Sequence, residues 1–489
     1  MQIVHKQGRR VTGIEHIGSA HDEAQLALLM EIARQQLHAG QLTLDLEPAG
    51  RDRTRAATTG VRVTGSCSRL LWEVLTGGYA LLGFDVIGDE AFRALVLARI
   101  VEPTSKADTL RVLAELGVAG PSLRTVFRSL ARCVERDYRG RLATACVAHS
   151  ARTAAGRAAL ILYDCTTLYF EAENEDRFRK VGMSKERRVD PQIQVGLLVD
   201  PAGFPLEVHC FEGNTAETTT LIPVLTAFQQ RHGIVELVVV ADAGMLSAAN
   251  LNALEDAGFR FIVGSRISKA PYDLAEHFAR HGDYFPDGQI LESARVMGTG
   301  RAARERRIVY QYSFKRHKRD DRAINAMIER AEKIATGQAA LRNVRFLKVK
   351  GATKTVDQAL VDRARQLAGL KGYVTNLPTA TMPGAAVIAA YHDLWQVEKS
   401  FRMAKSDLRA RPIFHHERDS IEAHLTIVFA ALAVSRYLQE QTHVSIKKLV
   451  HTLQPLRTVT IEVTGHTITA EPTITPNAEA ILTALPPGD

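Results

Sequence analysis

The spacing of apolar and polar positions divides the chain into stretches of different character. Residues 1–45 open on short β-prone runs and continue into a helix predicted from about His21 to His38. A polar stretch rich in Arg, Thr and Gly, about 46–65, reads as a linker. From Ser66 to about Ala155 apolar residues recur at helical spacing. Within that region Ser105–Leu116 and Ser122–Arg136 are two helical runs joined by Gly117-Val-Ala-Gly-Pro121, and Ser122, following a proline, suits the N-cap of the second. That second run sets Leu123, Phe127 and Leu130 on one face and Arg124, Arg128 and Arg132 on another. The pattern has the shape of a helix-turn-helix with a cationic recognition helix. Most helical hairpins bind nothing, so the pattern alone does not choose.

The period changes after residue 156. Ala158–Tyr163 is an unbroken apolar run, as in a strand buried on both faces. Gln192–Val199 and Phe204–Phe211 are two further strands around the turn Asp200-Pro-Ala-Gly203. Asn214 and Glu217 have the spacing of a capping box and predict a helix start at Asn214. Leu237–Val240 and Phe259–Val263 are strands, with a helix capped by Ser247 between them. The order β-β-β-α-β-α-β predicts an α/β fold: an antiparallel meander continued by parallel crossovers, covered by helices.

Farther on, residues 301–322 hold nine Arg or Lys against three acidic residues around the alternating run Ile308–Phe314. Alternation puts Ile308, Tyr310, Tyr312 and Phe314 on one strand face. A basic surface interleaved with aromatics suits a nucleic-acid backbone, and it equally suits an edge strand guarded by charge. Wound as one helix, Tyr391–Lys405 gathers Tyr391, Trp395, Glu398, Arg402 and Lys405 on a narrow stripe, beside a core stripe of Val397, Phe401, Ala404 and Leu408. A favourable Glu398–Arg402 pair explains part of that stripe. A site for metal ions and phosphates explains all of it. His415, His416 and His424 follow the helix and read as helix-terminal or core histidines rather than metal ligands. Residues after about Pro472 read as a poorly packed tail.

Composition narrows the class. With 489 residues, 46% hydrophobic and 24% charged, the chain exceeds one ordinary core and predicts two or three globular domains. No run has the uninterrupted apolar length of a membrane span, and the N-terminus lacks a secretory core, so the expectation is a cytoplasmic protein. Five scattered cysteines without C-x-x-C spacing suggest neither a disulfide framework nor structural zinc. A net charge of +8 is weak evidence for a polyanionic partner by itself.

Two aspartates finish apolar runs: Asp164 in Leu-Ile-Leu-Tyr-Asp and Asp242 in Val-Val-Val-Ala-Asp. Burying an unpaired carboxylate costs several kcal/mol. For either residue alone a cap on the following turn is the lesser alternative, and for both together it weakens further. Together with Glu398 they form a set able to hold two Mg²⁺ or Mn²⁺ ions through oxygen ligands, and such a pair activates attack on phosphorus. At this point the chain resembles the DDE transposases of bacterial insertion sequences, with a ribonuclease-H-like core and a Tyr-x2-Arg-x3-Glu-x6-Lys signature. Tyr391, Glu398 and Lys405 match that signature, and Leu394 stands where it has Arg. Phe211-Glu-Gly-Asn-Thr-Ala-Glu217, Gly372-Tyr-Val-Thr-Asn-Leu377 and Arg411-Pro-Ile413 resemble the same family.

The resemblance implies catalytic and metal-binding roles for Asp164, Asp242 and Glu398 and phosphate contacts from Tyr391 and Lys405, while the residue pattern itself offers Arg402 on the same stripe, Trp395 as a stacking ring, and Arg124, Arg128 and Arg132 on the candidate recognition helix as further DNA contacts. It implies double-stranded DNA as partner, both terminal inverted repeats and target, and a homodimer once DNA ends are bound. The expected domains are an N-terminal segment and linker (1–65), a helical DNA-binding region (66–155), and a core in two parts (156–266 and 373–440). A β-rich insertion (267–372) separates those parts, and a C-terminal helix and tail (441–489) ends the chain. A nuclease of the same fold, or a non-catalytic DNA-binding derivative, are the alternatives.

Overall fold

The computed structural model describes residues 2–7, 10–17, 62–153, 159–171, 174–182, 190–245, 247–350, 353–463 and 466–486. The helix expected over His21–His38 and most of the expected linker lie outside the described residues. The chain divides into two units, residues 1–60 and 61–489. The first contains an antiparallel pair, β1 (Gln2–Gln7) and β2 (Arg10–His16).

The second unit is built on one eight-stranded mixed sheet. Its strands are β4 (Ala159–Tyr169), β5 (Gln192–Val199), β6 (Pro205–Glu212), β7 (Leu237–Ala241), β8 (Arg260–Ser265), β9 (Ile290–Met297), β10 (Arg304–Tyr312) and β13 (Leu370–Thr375). Their order across the sheet is β6-β5-β4-β7-β8-β13-β10-β9. β4, β7 and β8 run parallel and every other pairing is antiparallel. This is the α/β mixed sheet flanked by helices that the β-β-β-α-β-α-β pattern predicts. Every residue of β5 and β7 is buried, as unbroken apolar runs require when helices cover both faces.

Several local expectations change. The segment 267–372 is no separate β-rich body. β9 and β10 extend the main sheet, with β13 inserted between β8 and β10. Its remainder includes a 22-residue helix, Phe314–Ala335, a hairpin of β11 (Leu347–Lys350) and β12 (Thr353–Val356), and a small second core around Ile324, Ala331, Phe346 and Val361. β10 is therefore a central strand, with Ile308, Val309 and Tyr310 buried on both faces, and Phe314 begins the helix half exposed. The helix expected at Asn214 starts at Glu217, because the chain first turns back from Glu212 through the Thr215 amide. The expected linker ends at β3 (Arg62–Cys67), which pairs with β14 (Thr458–Val463), and β14 pairs in turn with β15 (His466–Ala470). The tail carries a helix, Pro476–Ala484, whose Ala478 and Ile481 join the main core.

The helix Arg418–Thr442 is long and apolar enough by length and composition to cross a membrane, contrary to the expectation that no such run exists. In this fold it is a core helix, 94% of its apolar window being buried. It packs on helices Glu90–Val101 and Leu123–Glu135 on one side and on β6 on the other, tying the N-terminal helical region to the sheet.

Ser122 caps Leu123–Glu135 by accepting from the Thr125 amide at 3.2 Å, as expected. The buried face of this helix is Val126, Ser129, Leu130 and Cys133, however, and Leu123 and Phe127 are exposed. Packing against two helices at once rotated the core face by about one position from the predicted stripe. Arg132 bonds Asp89 at 2.6 Å, and Asp89 also caps helix Glu90–Val101 through the Ala91 and Phe92 amides. That guanidinium is a structural tie, so the expected basic row is reduced to Arg124 and Arg128, which are exposed.

Glu207 on the edge strand β6 is 1% exposed and meets Arg231 and His232 at the end of helix Glu217–His232, with His209 beside it. Burial pushes its carboxyl up, but the two histidines and Arg231 outweigh that and hold it down to about 2. A carboxyl depressed in the folded state stabilises fully above its unfolded pKa, about 4.3, and loses that contribution as pH falls toward 2. Glu207→Gln should therefore be less stable than the parent at pH 6 by on the order of 2–3 kcal/mol, with the gap closing toward pH 2.5. Urea unfolding across that range measures it, and a gap independent of pH would contradict the assignment.

Candidate active site

The sheet itself brings the first two carboxylates together. β7 pairs with β4 only over Ala159–Leu162, in a register that sets Leu162 opposite Val240. Asp164 lies two residues beyond that pair within β4, and Asp242 two residues beyond it, just past the end of β7. Neighbouring strands lie roughly 4.8 Å apart, so the two acids come near each other where β7 ends, in the middle of the sheet. Asp164 does not end its strand as expected, because β4 continues to Tyr169 while pairing with β5. What ends beside it is β7, and the sheet opens there. Asp164, Thr166 and Leu168 share one face of β4 by alternation.

The third carboxylate comes from the segment Tyr391–Lys405, which is not one helix. Gly384–His392 ends, the chain bends at Asp393 and Leu394, Trp395–Arg402 follows, and Met403–Asp407 forms a wider π-type turn. The predicted core stripe of Val397, Phe401, Ala404 and Leu408 is buried. The bend places Tyr391 on one helix and Trp395 and Glu398 on the next, all lining one cleft of about 320 Å³ with Asp164, Asp242, Lys371, His392 and Leu394. The Tyr391 hydroxyl donates to Asp242 at 3.0 Å. Burial first, and then the charge of Asp242, push the Tyr391 phenol well up, so it stays a neutral donor. Glycine at 264 makes room, since a Cβ there would lie 2.6 Å from the Tyr391 hydroxyl. Beneath the second helix, Ser400 donates to the Gly203 carbonyl at 2.8 Å in the β5–β6 turn.

The other expected contacts divide. Lys405 reaches β4 and donates to Thr166 at 2.7 Å, two residues from Asp164. Trp395 is 51% exposed at the cleft, with the Lys399 ammonium 5.3 Å from its ring centre. Arg402 is exposed and does not line the cleft, so it does not replace the arginine absent at Leu394. The cation present is Lys371, on β13, which sequence reasoning missed. Its ammonium lies 4.4 Å from the centre of the Tyr391 ring. Burial lowers its pKa, as do Arg316 and Arg319, while Asp242 opposes them. A lysine in an otherwise buried strand, directly before the stretch Gly372–Leu377, was the available signal. His424 is buried against the Ala410 carbonyl and His415 adjoins Lys106, as packing histidines do.

The strand half of the basic region is committed elsewhere. Arg306 is buried on Glu255, Arg304 pairs with Glu255 and Asp256, and Arg307 pairs with Glu292.

Three carboxylates without a thiolate or histidine among them form a hard-oxygen donor set, suited to Mg²⁺ or Mn²⁺. Among the described residues no three His, Cys, Asp or Glu converge on a single ion.

A family model described as a transposase DDE domain matches residues 156–434. No curated protein matches the chain. A solved structure, the cryo-EM structure of piggyBac transposase in a synaptic complex with hairpin DNA, is similar at 11% identity with a TM-score of 0.37, covering 83% of this chain and 73% of that one. That likeness is too distant to carry over any residue.

Gly264→Ala should push Tyr391 off Asp242 and destabilise the protein by about 1–3 kcal/mol, the cost of a displaced buried hydrogen bond. Because Tyr391→Phe removes the same bond, the double variant should lose less than the sum of the singles, a coupling readable in thermal unfolding. Additive losses would show that the two residues do not act on each other.

Proposed function

Since that model matches more than half of the chain, the protein belongs to the transposase DDE domain family, and we propose that it is an insertion-sequence transposase that cuts and joins DNA at the ends of its element. The observation that supports this reading is the single cleft that Asp164, Asp242 and Glu398 line together, beyond the last β4–β7 pair of Leu162 with Val240. Proteins of this family generally use divalent metal ions, and Asp164, Asp242 and Glu398 are the residues that would hold them. When bound, such ions supply Lewis acidity to the phosphoryl group and lower the pKa of an attacking water.

The chain's own residues supply orientation and charge. Tyr391 fixes one oxygen of Asp242, so that acid cannot turn away from the cleft. Lys371 brings positive charge to the cleft, where phosphate oxygens gain negative charge as the bond breaks, and Lys405 holds Thr166 two residues from Asp164. Trp395 offers an exposed ring on which a base can stack. In the first reaction water attacks phosphorus and the bond to the 3′ oxygen breaks, freeing a 3′-hydroxyl at the element end. That hydroxyl then attacks a second phosphodiester, forming one P–O bond as another breaks. Arg124 and Arg128, exposed on their helix, are the candidate contacts to terminal repeats. Pairing two inverted ends calls for two copies of the chain, and a twofold homodimer matches their symmetry.

The test uses purified protein, Mg²⁺ or Mn²⁺, and a supercoiled plasmid carrying the element ends. The expected products are nicked and joined DNA. Asp164→Asn, Asp242→Asn and Glu398→Gln should each lower cleavage at least about a hundredfold, since each removes several kcal/mol of transition-state charge stabilisation. Binding of end DNA should persist in all three. Full cleavage by any one variant would remove that residue from the site, and nicking without joining would make the protein a nuclease.

A further inference from the structure

A second cavity, of about 530 Å³, adjoins the carboxylate cleft and shares Lys371 and His392 with it. One wall is the start of helix Phe314–Ala335, which contributes Lys315, Arg316, Lys318, Arg319 and Arg322. Ser313 starts this helix with its hydroxyl facing the Arg316 amide. The buried apolar side of the helix begins at Ile324, on the small second core. Among the described residues, Arg319 with Asp320 at 3.5 Å is the only ion pair these five cations make. Asp320 is also occupied by the Gly369 amide. The arginines of β10, a few residues earlier, all have acidic partners, so the contrast lies in the structure and not in the local composition.

A wall of uncompensated cations repels itself and favours a polyanion. The cavity has the volume of a small-ligand site. A duplex does not enter such a space, whereas the backbone of one strand does. An aromatic ring stands next to the charge: Phe314, beside the cavity at the start of the same helix, is half exposed with the Lys318 ammonium 4.6 Å from its ring centre. Proteins that hold single strands combine these two features. We propose that this cavity is a track for a single DNA strand, with phosphates on Lys315, Arg316, Lys318 and Arg319, and with Lys371 handing the strand into the carboxylate cleft. The inference rests on the transposase reading, which supplies the DNA end that enters the track.

Full-length protein, free of divalent cations, is titrated by fluorescence anisotropy with element-end duplexes, either blunt or carrying a single-stranded extension. The extension should tighten binding by the parent. The variant Lys315→Gln/Arg316→Gln/Lys318→Gln/Arg319→Gln should lose that gain, about tenfold, and flatten the log–log salt dependence for extended DNA by about 2 to 3, since each single-strand phosphate contact contributes about 0.7. Blunt duplex should bind the variant as it binds the parent. Equal weakening of both DNAs, no change in either, or displacement of the extension by a mononucleotide at similar concentration would overturn the track. Cleavage is read separately. Extension binding that depends on these residues in a protein that neither nicks nor joins DNA sinks the transposase reading and leaves the track standing. Normal nicking and joining with an unchanged salt slope does the reverse.

Discussion

The hydrogen bond from Tyr391 to Asp242 joins residues 149 apart in the chain, and the geometry of the candidate site hangs on it. It pins the end of helix Gly384–His392 to the sheet where β7 ends. It needs a neutral phenol, which burial beside a carboxylate secures, and it needs a neighbouring strand without a side chain at Gly264. With Tyr391 held there, the bend at Asp393 and Leu394 sets the direction of the next helix. Glu398 then faces the cleft while Val397 and Phe401 pack inward. The Ser400 bond to the Gly203 carbonyl seats the same helix on the β5–β6 turn, where Arg436 bonds the Ala202 carbonyl and Gln396. Gly203 has a positive φ of 84°, and a Cβ there would meet Arg436 and Gln396. Two glycines thus let a later helix approach an earlier sheet closely enough to share a site.

Similar basic residues take opposite parts depending on what folding places beside them. Arg132, read as one of a row, becomes a structural tie because Asp89 lies against it with Ser129 and Tyr138. Arg306 is buried and paired with Glu255. The cations that follow on helix Phe314–Ala335 have almost no acids facing them. A run of Arg and Lys in a sequence reports the charge, whereas the three-dimensional neighbours decide whether that charge is already neutralised.

Much of the sheet was legible because it is written in local periodicity. Strands buried on both faces appear as continuous apolar runs, and β4, β5, β7 and β8 follow from them with ends shifted by a few residues. That Asp164 and Asp242 line one cleft was only an expectation from the sequence, since the neighbourhood of two strand ends is a property of both strands and not of either. Features that depend on distant packing were hidden. The bend inside Tyr391–Lys405 leaves the heptad-like spacing intact, so the segment reads as one helix. β13 joins the sheet between β8 and β10 after a long excursion, which makes Lys371 a neighbour of Tyr391. The exposure of Leu123 and Phe127 follows from packing helix Leu123–Glu135 on Glu90–Val101 and Arg418–Thr442 together, and helical spacing alone would have buried them.

The carboxylate cleft and the basic cavity have opposite charge and share Lys371, and that adjacency has a thermodynamic consequence. Three carboxylates in one cleft repel phosphate until cations neutralise them, and five cations on one wall repel one another until an anion arrives. Each site therefore completes the electrostatics of the other. A strand lying along the cations brings negative charge toward Asp164, Asp242 and Glu398 and strengthens their demand for divalent ions. Ions held there in turn lower the cost of bringing a phosphate into the cleft. If both ligands bind as proposed, linkage makes the coupling reciprocal, and DNA tightens metal binding by the same factor by which metal tightens DNA. Lys371 stands where the two sites meet: it lines both the carboxylate cleft and the basic cavity.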